Sequence, residues 1–135
     1  MKVNGSLAVD TNAVIVYREG VPEVCSLIEE SEIIFLPVTV LGELLFGAAN
    51  SGRPQENELA IRRFLSQSFL MTIDESIAVR YANLRLELKK IGRPIPENDI
   101  WIAASCLEYD VALLSRDTHF DHIPKLQVIK WPRGA

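Results

Sequence analysis

The chain alternates short, almost continuous apolar runs with longer stretches in which apolar residues recur every three or four positions. Such alternation is typical of parallel strands joined by crossover helices. Strands that are apolar on both sides also suit a sheet that is covered on both faces. Five runs predict the strands: residues 7–9, 33–36, 70–73, 111–114 and 128–131.

The segments between these runs predict helices. The clearest covers residues 75–91, with Asp74 as its N-cap and Gly92 as its stop signal. Its apolar stripe is expected to face the core and consists of Ile77, Tyr81, Leu84, Leu88 and Ile91. Four further helices are expected at residues 21–30, 40–49, 55–67 and 97–108.

These elements predict an α/β fold: a three-layer α/β/α sandwich around a central, mostly parallel five-stranded sheet. A chain of 135 residues fits one domain, so a single domain is expected over residues 1–135. In open sheets of this kind, ligands bind just beyond the carboxyl ends of the strands. Candidate chemistry is therefore sought at that edge.

The cysteines indicate a reducing compartment, and one apolar segment needs to be distinguished from a membrane span. Cys25 and Cys106 are far apart, form no CxxC motif and lie among apolar residues, which predicts buried thiols in a cytoplasmic protein. Residues 33–49 could be mistaken for a membrane span. Because this stretch contains Pro37 and Glu43, a buried strand followed by a helix explains it better, and no membrane association is expected.

The net charge of −4 argues against a nucleic-acid binder that relies on bulk electrostatic attraction. Any such function would need a local source of positive charge. This constraint directs attention to the acidic residues and to the cations that they could bind.

Four acids lie where the predicted fold would bring them together. Asp10 directly follows the first strand, and Asp117 follows the fourth after Ser115 and Arg116. Glu43 lies early in the helix after the second strand, for which Thr39 is the expected N-cap, and Asp99 lies early in the helix after Pro96. Taken alone, each acid is more simply structural, because helix N-termini favour negative charge. Their convergence on one sheet edge is the signal.

The surroundings of these acids favour a metal ion. Glu43 and Asp99 lie on strongly apolar helices, and no Lys or Arg is within helical reach of Glu43. Burying an unpaired carboxylate is costly, so a partner is expected. Clustered carboxylate oxygens suit Mg²⁺ or Mn²⁺, whereas zinc normally takes Cys or His. Divalent ions would also attract a phosphate, which answers the objection from net charge.

Four motifs, at residues 9–12, 38–44, 98–104 and 115–120, occur in this order along the chain. Through them the chain resembles, over nearly its whole length, the PIN-domain ribonucleases, most closely the VapC-type toxins of toxin–antitoxin pairs. The resemblance implies the three-layer fold, Mg²⁺- or Mn²⁺-dependent cleavage of RNA, homodimers and inhibition by a cognate antitoxin. Contact with DNA would be only indirect, through the antitoxin.

The resemblance also implies roles for individual residues. The family's acidic quartet matches Asp10, Glu43, Asp99 and Asp117. Supporting positions match Thr11 or Asn12, Asn98, Ser115 and, as an additional acid in some members, Asp121.

Phosphate contacts could come from Arg116, Arg53, Arg62 or Arg63, although a solvated surface charge is the simpler interpretation of each.

The mechanism that we hypothesise from these matches has Asp10 and Asp99 binding metal directly, with Asp117 completing the shell directly or through water. Glu43 holds a second ion or orients and deprotonates the attacking water. Cleavage would leave 5′-phosphate and 3′-hydroxyl ends. The number of ions, the RNA that is cut and the choice between Asp117 and Asp121 as the fourth acid stay open.

Other interpretations of single residues are weighed against simpler ones. His119 and His122 could suggest a transition-metal site, but two surface imidazoles are favoured, because zinc ligands normally come from more than one segment. Trp101 could stack on a base, although core burial or a dimer contact is favoured.

Two alternative functions remain. An aspartate-based phosphatase would want a second acid two residues after Asp10, where Asn12 stands. A binding module that docks an antitoxin, with weak or no nuclease activity, could use an apolar face around Phe46, Leu59 and Phe64, although core packing is the simpler interpretation of these residues. A receiver domain is disfavoured, because the chain lacks an adjacent acidic pair near position 10.

Overall fold

The computed structural model describes residues 5–132 and contains one five-stranded sheet with the strand order β3-β2-β1-β4-β5. All four strand pairs are parallel. The strands are β1 (Ser6–Val9), β2 (Ile33–Pro37), β3 (Phe69–Met71), β4 (Ala112–Leu114) and β5 (Val128–Ile129).

Within residues 5–132, six α-helices join these strands and make the outer layers of the three-layer α/β/α sandwich that the sequence predicts. They are α1 (Thr11–Arg18), α2 (Pro22–Glu29), α3 (Val38–Ala49), α4 (Pro54–Ser66), α5 (Glu75–Lys90) and α6 (Glu97–Tyr109). A short 3-10 helix, Thr118–His122, follows β4 and packs against α6.

The sheet order determines where the functional groups lie. The first strand is central, and its last residue, Val9, is in register with Leu114 at the end of β4. Asp10 and Ser115 each come directly after these residues, so the register makes them neighbours. The backbone N–H of Asp10 donates to the Leu114 carbonyl at 3.1 Å, which extends the pairing by one residue.

All five predicted strands are present, with small differences at their ends. The largest difference is at β3, which begins at Phe69 and ends at Met71, so that Thr72 and Ile73 lie beyond it and are exposed. Phe69 belongs to the strand because its ring packs edge-on against Phe35 of β2 and its backbone is in register with the same residue.

The prediction for α5 holds at its start and is wrong at its last apolar position. The Asp74 carboxylate accepts a hydrogen bond from the Ile77 N–H, as expected of an N-cap. The helix ends at Lys90, and Gly92 follows with φ of +70°, a conformation that glycine adopts without a steric penalty. Ile91 therefore lies beyond the helix and is 57% exposed.

Two helix assignments need correction. The α1 helix is not predicted from the sequence, because it is only eight residues long and its β-branched residues suit a strand as well as a helix. The third helix begins at Val38 with Pro37 as its N-cap and without a side-chain cap, so the assignment of Thr39 as N-cap is wrong. Proline suits this position, because its ring presets the backbone angle at which the helix starts.

Cys106 is fully buried, and burial raises the pKa of its thiol, whereas Cys25 is only half-buried, so the prediction of a buried thiol fails at Cys25. Residues 33–49 form β2 and α3, as expected. Within residues 5–132, no helix combines the length and the apolar character that crossing a membrane requires.

Candidate active site at the carboxyl edge of the sheet

Asp10 is the most deeply buried of the candidate acids. It directly follows β1 and caps α1, with its Oδ1 accepting a hydrogen bond from the Thr11 N–H at 2.8 Å. Its Oδ2 accepts from the Ser115 hydroxyl at 2.7 Å, and the residue is 6% exposed. Both carboxylate oxygens therefore face fixed donors on adjacent segments, which sets the orientation of the side chain.

Ser115 links the first acid to the fourth. Its side chain is completely buried, donates to Asp10 and accepts from the backbone N–H of Asp117 at 3.1 Å. Because Ser115 directly follows β4, the sheet register places its hydroxyl between the two acids. A residue assigned only a supporting position by the sequence thus connects the two strand ends.

Glu43 belongs to α3 and reaches the acids through Thr11. Its Oε1 accepts a hydrogen bond from the Thr11 hydroxyl at 3.2 Å, and Asn98 also donates to its carboxylate. Asn98, a predicted supporting residue, therefore acts on Glu43. Of the two polar residues after Asp10, Thr11 contacts the acids, whereas Asn12 is exposed on the first turn of α1.

Asp99 and Asp117 meet at an imidazole. His119 Nδ1 lies 2.7 Å from Asp99 Oδ2 and 3.1 Å from Asp117 Oδ1. The His119 backbone N–H also donates to Asp117 Oδ1 at 2.9 Å, since Asp117 caps the 3-10 helix. The Asp99 side chain is 13% exposed, compared with 44% for His119, so the imidazole is at the outer side of the cluster.

The pKa values of the acids are shifted by burial and by the charges of the neighbouring acids. Burial raises the pKa of Asp10, while the Ser115 hydrogen bond lowers it and the charge of Asp117 raises it. Burial also raises the pKa of Glu43, opposed by the Thr11 hydrogen bond and reinforced by Asp10 and Asp99.

The pKa of Asp99 is raised for the same first reason, burial, and His119 counteracts this shift. The hydrogen bond to Asp99 raises the pKa of His119, which favours the charged imidazolium. Within residues 5–132, His119 is thus the one basic side chain that contacts these carboxylates, which resist ionising together. Such a cluster gains from a cation.

The donor set fits a divalent metal ion. One potential ligand atom from each of Asp99, Asp117 and His119 lies within 4.8 Å of the others. Asp10 and Glu43 adjoin this group, since Asp10 interacts electrostatically with Asp117 and Asp99, and Glu43 interacts with Asp10 and Asp99. Carboxylate oxygens from separate segments are the ligands that hard divalent cations prefer.

Several other candidates lie outside this cluster. Asp121 pairs with Lys130, and the Arg53 and Arg62 guanidinium groups pair with glutamates of α4. Arg116 is exposed beside Asp117, with its guanidinium 5.7 Å from the centre of the buried Trp131 ring. Unlike Arg53 and Arg62, Arg116 is next to one of the acids in sequence, and its guanidinium group packs against a ring and not against a glutamate.

Both histidines are exposed, as predicted, and His122 contacts Arg93. What the sequence did not indicate is that the exposed His119 also contacts Asp99 and Asp117. The requirement for ligands from more than one segment is met by Asp99, twenty residues away on α6. The signal that could have identified His119 is its two-residue spacing from Asp117, which places both at the start of one turn.

Two of the other predictions have clear outcomes. Trp101 is half-buried and stacks on Tyr81, with 3.8 Å between the ring centres. In the candidate apolar face, Phe46 and Leu59 are 72% and 55% exposed. Phe64 is not part of that face, because it is buried and packs edge-on against Tyr17.

Comparison with known proteins agrees with this geometry. Residues 7–126 match the PIN domain family. Ribonuclease VapC2 of Haemophilus influenzae is 32% identical over 126 residues, which cover 90% of this chain and 95% of that protein.

Among solved structures, VapBC2 from Rickettsia felis bound to a DNA fragment from its promoter is similar, with a TM-score of 0.85 at 25% identity over 93% of this chain and 98% of that one. A toxin–antitoxin complex from Klebsiella pneumoniae has a TM-score of 0.70 at 25% identity, covering 91% and 95% of the two chains. The chain thus belongs to the PIN-domain family and, within it, to the VapC-type proteins.

Proposed function

We propose that this protein is a metal-dependent endoribonuclease that hydrolyses RNA phosphodiester bonds and is the toxin of a toxin–antitoxin pair. The observation that carries the proposal is the convergence of four acids from four segments at one edge of the sheet. The 32% identical relative is named a ribonuclease, and its similarity extends over 90% of this chain.

In this proposal Asp10, Asp99 and Asp117 hold a divalent ion, Mg²⁺ or Mn²⁺. When bound, such an ion attracts the phosphate and activates water for attack on phosphorus. The protein contributes orientation: Ser115 and Thr11 hold Asp10, and the cap of the 3-10 helix holds Asp117. Preorganised ligands of this kind keep the reacting groups in place as charge develops.

Glu43 is the proposed proton acceptor for the attacking water. Its carboxylate is oriented by Thr11 and Asn98, and burial raises its pKa, which makes it a better base than an exposed glutamate. If a second ion binds, Glu43 would supply a carboxylate to hold it. In-line attack would leave a 5′-phosphate and a 3′-hydroxyl on the products.

Cleavage of mixed RNA by the purified protein tests the reaction. Addition of Mg²⁺ or Mn²⁺ should support cleavage, and EDTA should abolish it. Mapping of the ends should find 5′-phosphates and 3′-hydroxyls. A 2′,3′-cyclic phosphate would show that the RNA's own 2′-hydroxyl is the nucleophile, which contradicts the assignment. Hydrolysis of a small phosphomonoester without RNA cleavage would favour the aspartate-based phosphatase.

The identity of the fourth acid is tested by a matched pair of variants. Asp117→Asn should abolish cleavage, because Asp117 shares the cluster with Asp99. Asp121→Asn removes the same charge four residues away, where Asp121 pairs with Lys130, and should leave cleavage within about twofold of the parent, as most surface substitutions do. The opposite result would make Asp121 the fourth acid.

The proposed partners are a cognate antitoxin and a second copy of this chain, with DNA reached only through the antitoxin. The support comes from the toxin–antitoxin complex and from the promoter-bound VapBC2. Exposed Phe46 and Leu59 offer apolar area on α3 and α4 that a partner could cover.

Co-purification with the protein encoded immediately upstream, followed by gel filtration, tests this part. We expect a complex that contains two copies of this chain. A partner that binds while the isolated chain shows no metal-dependent cleavage would instead support the binding-module alternative. Because cellular RNA is the proposed target, the cytoplasm is the proposed site of action.

A further inference from the structure

His119 is a nitrogen donor inside an otherwise oxygen-based cluster. Its Nδ1 is directed at the carboxylates of Asp99 and Asp117, at 2.7 and 3.1 Å, and not at solvent. The other histidine of the chain, His122, is three residues away and contacts Arg93. The two imidazoles therefore have different surroundings on the same short helix.

The spacing of these atoms is that of neighbouring ligands on one ion. With bonds of about 2.1 Å, two ligand atoms at right angles around an octahedral ion lie about 3 Å apart. The distances from Nδ1 to the two carboxylate oxygens bracket this value, and the three ligand atoms lie within 4.8 Å of each other. The arrangement suits a cation at the position that a proton on Nδ1 would take.

The backbone supports the same geometry. Asp117 Oδ1 accepts from the His119 N–H, so the carboxylate and the imidazole belong to one hydrogen-bonded turn. Asp99 is supplied by α6, which packs against this turn. Ligands from two separate elements thus face one point, as is usual for metal sites in proteins.

We propose that His119 Nδ1 binds the same divalent ion as Asp99 and Asp117, and that this nitrogen gives the site a preference for Mn²⁺ over Mg²⁺. The inference rests on the proposed function, because it concerns the ion used in RNA cleavage. Imidazole binds transition metals better than it binds Mg²⁺, for which carboxylates and water are the usual ligands. An all-carboxylate site would show a smaller preference, because the nitrogen donor favours Mn²⁺ beyond what carboxylates do.

Pulsed electron paramagnetic resonance of the Mn²⁺-loaded protein tests direct ligation without relying on activity. A histidine nitrogen bound to Mn²⁺ should give a nitrogen coupling that changes when the protein is made with ¹⁵N-histidine. Because the chain has only two histidines, the label is nearly site-specific. His122→Ala should retain the signal, and His119→Ala should lose it.

Competition between the two ions provides the second measurement. The ratio of Mn²⁺ to Mg²⁺ affinity should fall about tenfold in His119→Ala, a loss comparable to the smaller effects of removing groups that support metal ligands. In His122→Ala the ratio should match that of the parent. A folded His119→Ala variant is not essential, since the labelled wild-type protein alone reveals whether nitrogen is bound.

The outcomes separate this inference from the proposed function. If Mn²⁺ binds and supports cleavage but no histidine coupling is seen, His119 is not a ligand, while the nuclease assignment stands. Failure of Mn²⁺ and Mg²⁺ to bind, or binding that is unaffected by Asp99→Asn, would overturn the metal site itself. Histidine coupling with an unchanged affinity ratio would remove the proposed selectivity.

Discussion

The two halves of the acidic site are held in place by different means. On the inner side, next to β1 and β4, Asp10 is 6% exposed and accepts hydrogen bonds from Ser115 and Thr11. On the outer side, Asp99 and Asp117 are partly exposed and share the imidazole of His119. Neutral donors built into the fold orient the inner acid, whereas a titratable group bridges the outer ones.

The inner half of the site is therefore rigid, whereas the outer half can adapt to what binds there. Fixed hydroxyl and amide donors do not change with pH or metal, so the inner half is preorganised. The imidazole can exchange a proton or bind a cation, so the outer half can respond to its occupant. We therefore expect changes to the inner half to affect both stability and activity, and changes to the outer half to act mainly through charge and metal.

The largest effect should come from removing an acid from either half. Asp10→Asn and Asp99→Asn should each reduce cleavage by about a thousandfold or more, because several kcal/mol of charge stabilisation depends on the ion that they hold. Both variants should fold, since asparagine also serves as an N-cap at position 10. Rates on a labelled RNA, with Asp121→Asn as the control, measure this effect. Equal rates in parent and variants would place the site elsewhere.

Ser115→Ala should break the inner half without removing an acid. The loss leaves a buried Asp10 oxygen without its donor, which should destabilise the protein by about 1–3 kcal/mol and slow cleavage by about 10–100-fold. Urea unfolding and RNA cleavage measure the two effects. Ser105→Ala is the matched control, because Ser105 is also buried but donates only to a carbonyl of its own helix. Similar losses of stability and cleavage rate in both variants would show that the Ser115 hydrogen bond to Asp10 has no specific role in the site.

When metal is removed, the contribution of the outer half to stability should depend on pH, because His119 titrates. The pKa of His119 is raised by its hydrogen bond to Asp99. Its contribution to stability is therefore complete below the ordinary pKa of about 6.5 and is lost as pH rises through the higher folded value.

In EDTA, the difference in Tm between parent and His119→Ala should thus shrink as pH rises above 6.5. It should correspond to no more than about 1 kcal/mol, since solvent screens the half-exposed imidazole. Thermal melts between pH 6 and 9 measure it, and His122→Ala controls for the loss of an imidazole. A difference that grows with pH would contradict the assigned direction.

The smallest effect should be a gain in stability from Glu43→Gln. Burial and the neighbouring charges of Asp10 and Asp99 raise the pKa of Glu43, and its ionised form is therefore unfavourable when no cation is present. Glutamine can still accept the Thr11 hydrogen bond, so in EDTA we expect a few tenths of a kcal/mol of stabilisation. Metal should reverse the order of the melting temperatures. Destabilisation in EDTA would mean that the Glu43 charge is well compensated.

Most of the fold is predictable because its elements are encoded locally. Apolar runs such as residues 111–114 predict strands, and the repeat from Ile77 to Leu88 predicts a helix. The α1 helix is not predictable in this way, since eight residues rich in Val and Ile also suit a strand. Its start depends on the cap that Asp10 provides, which is a single interaction and not a periodic pattern.

The site was predictable to the level of which acids meet, and no further. Parallel strands place Asp10 and Asp117 at one edge, whatever the details of packing. The involvement of His119 and the pairing of Asp121 with Lys130 depend on how the 3-10 helix turns against α6 and β5. Both histidines and both aspartates of this segment look alike in sequence.

The amino-acid sequence by itself determined the elements, the parallel architecture and the acids at the strand ends, because backbone periodicity and strand direction act over a few residues. Only the tertiary structure decided how the two halves of the site are held. Ser115 reaches Asp10 across 105 positions, and His119 reaches Asp99 across 20, so both contacts depend on sheet register and helix packing. Hydrogen bonds require placement to within a few tenths of an ångström, and that precision is a property of the assembled fold.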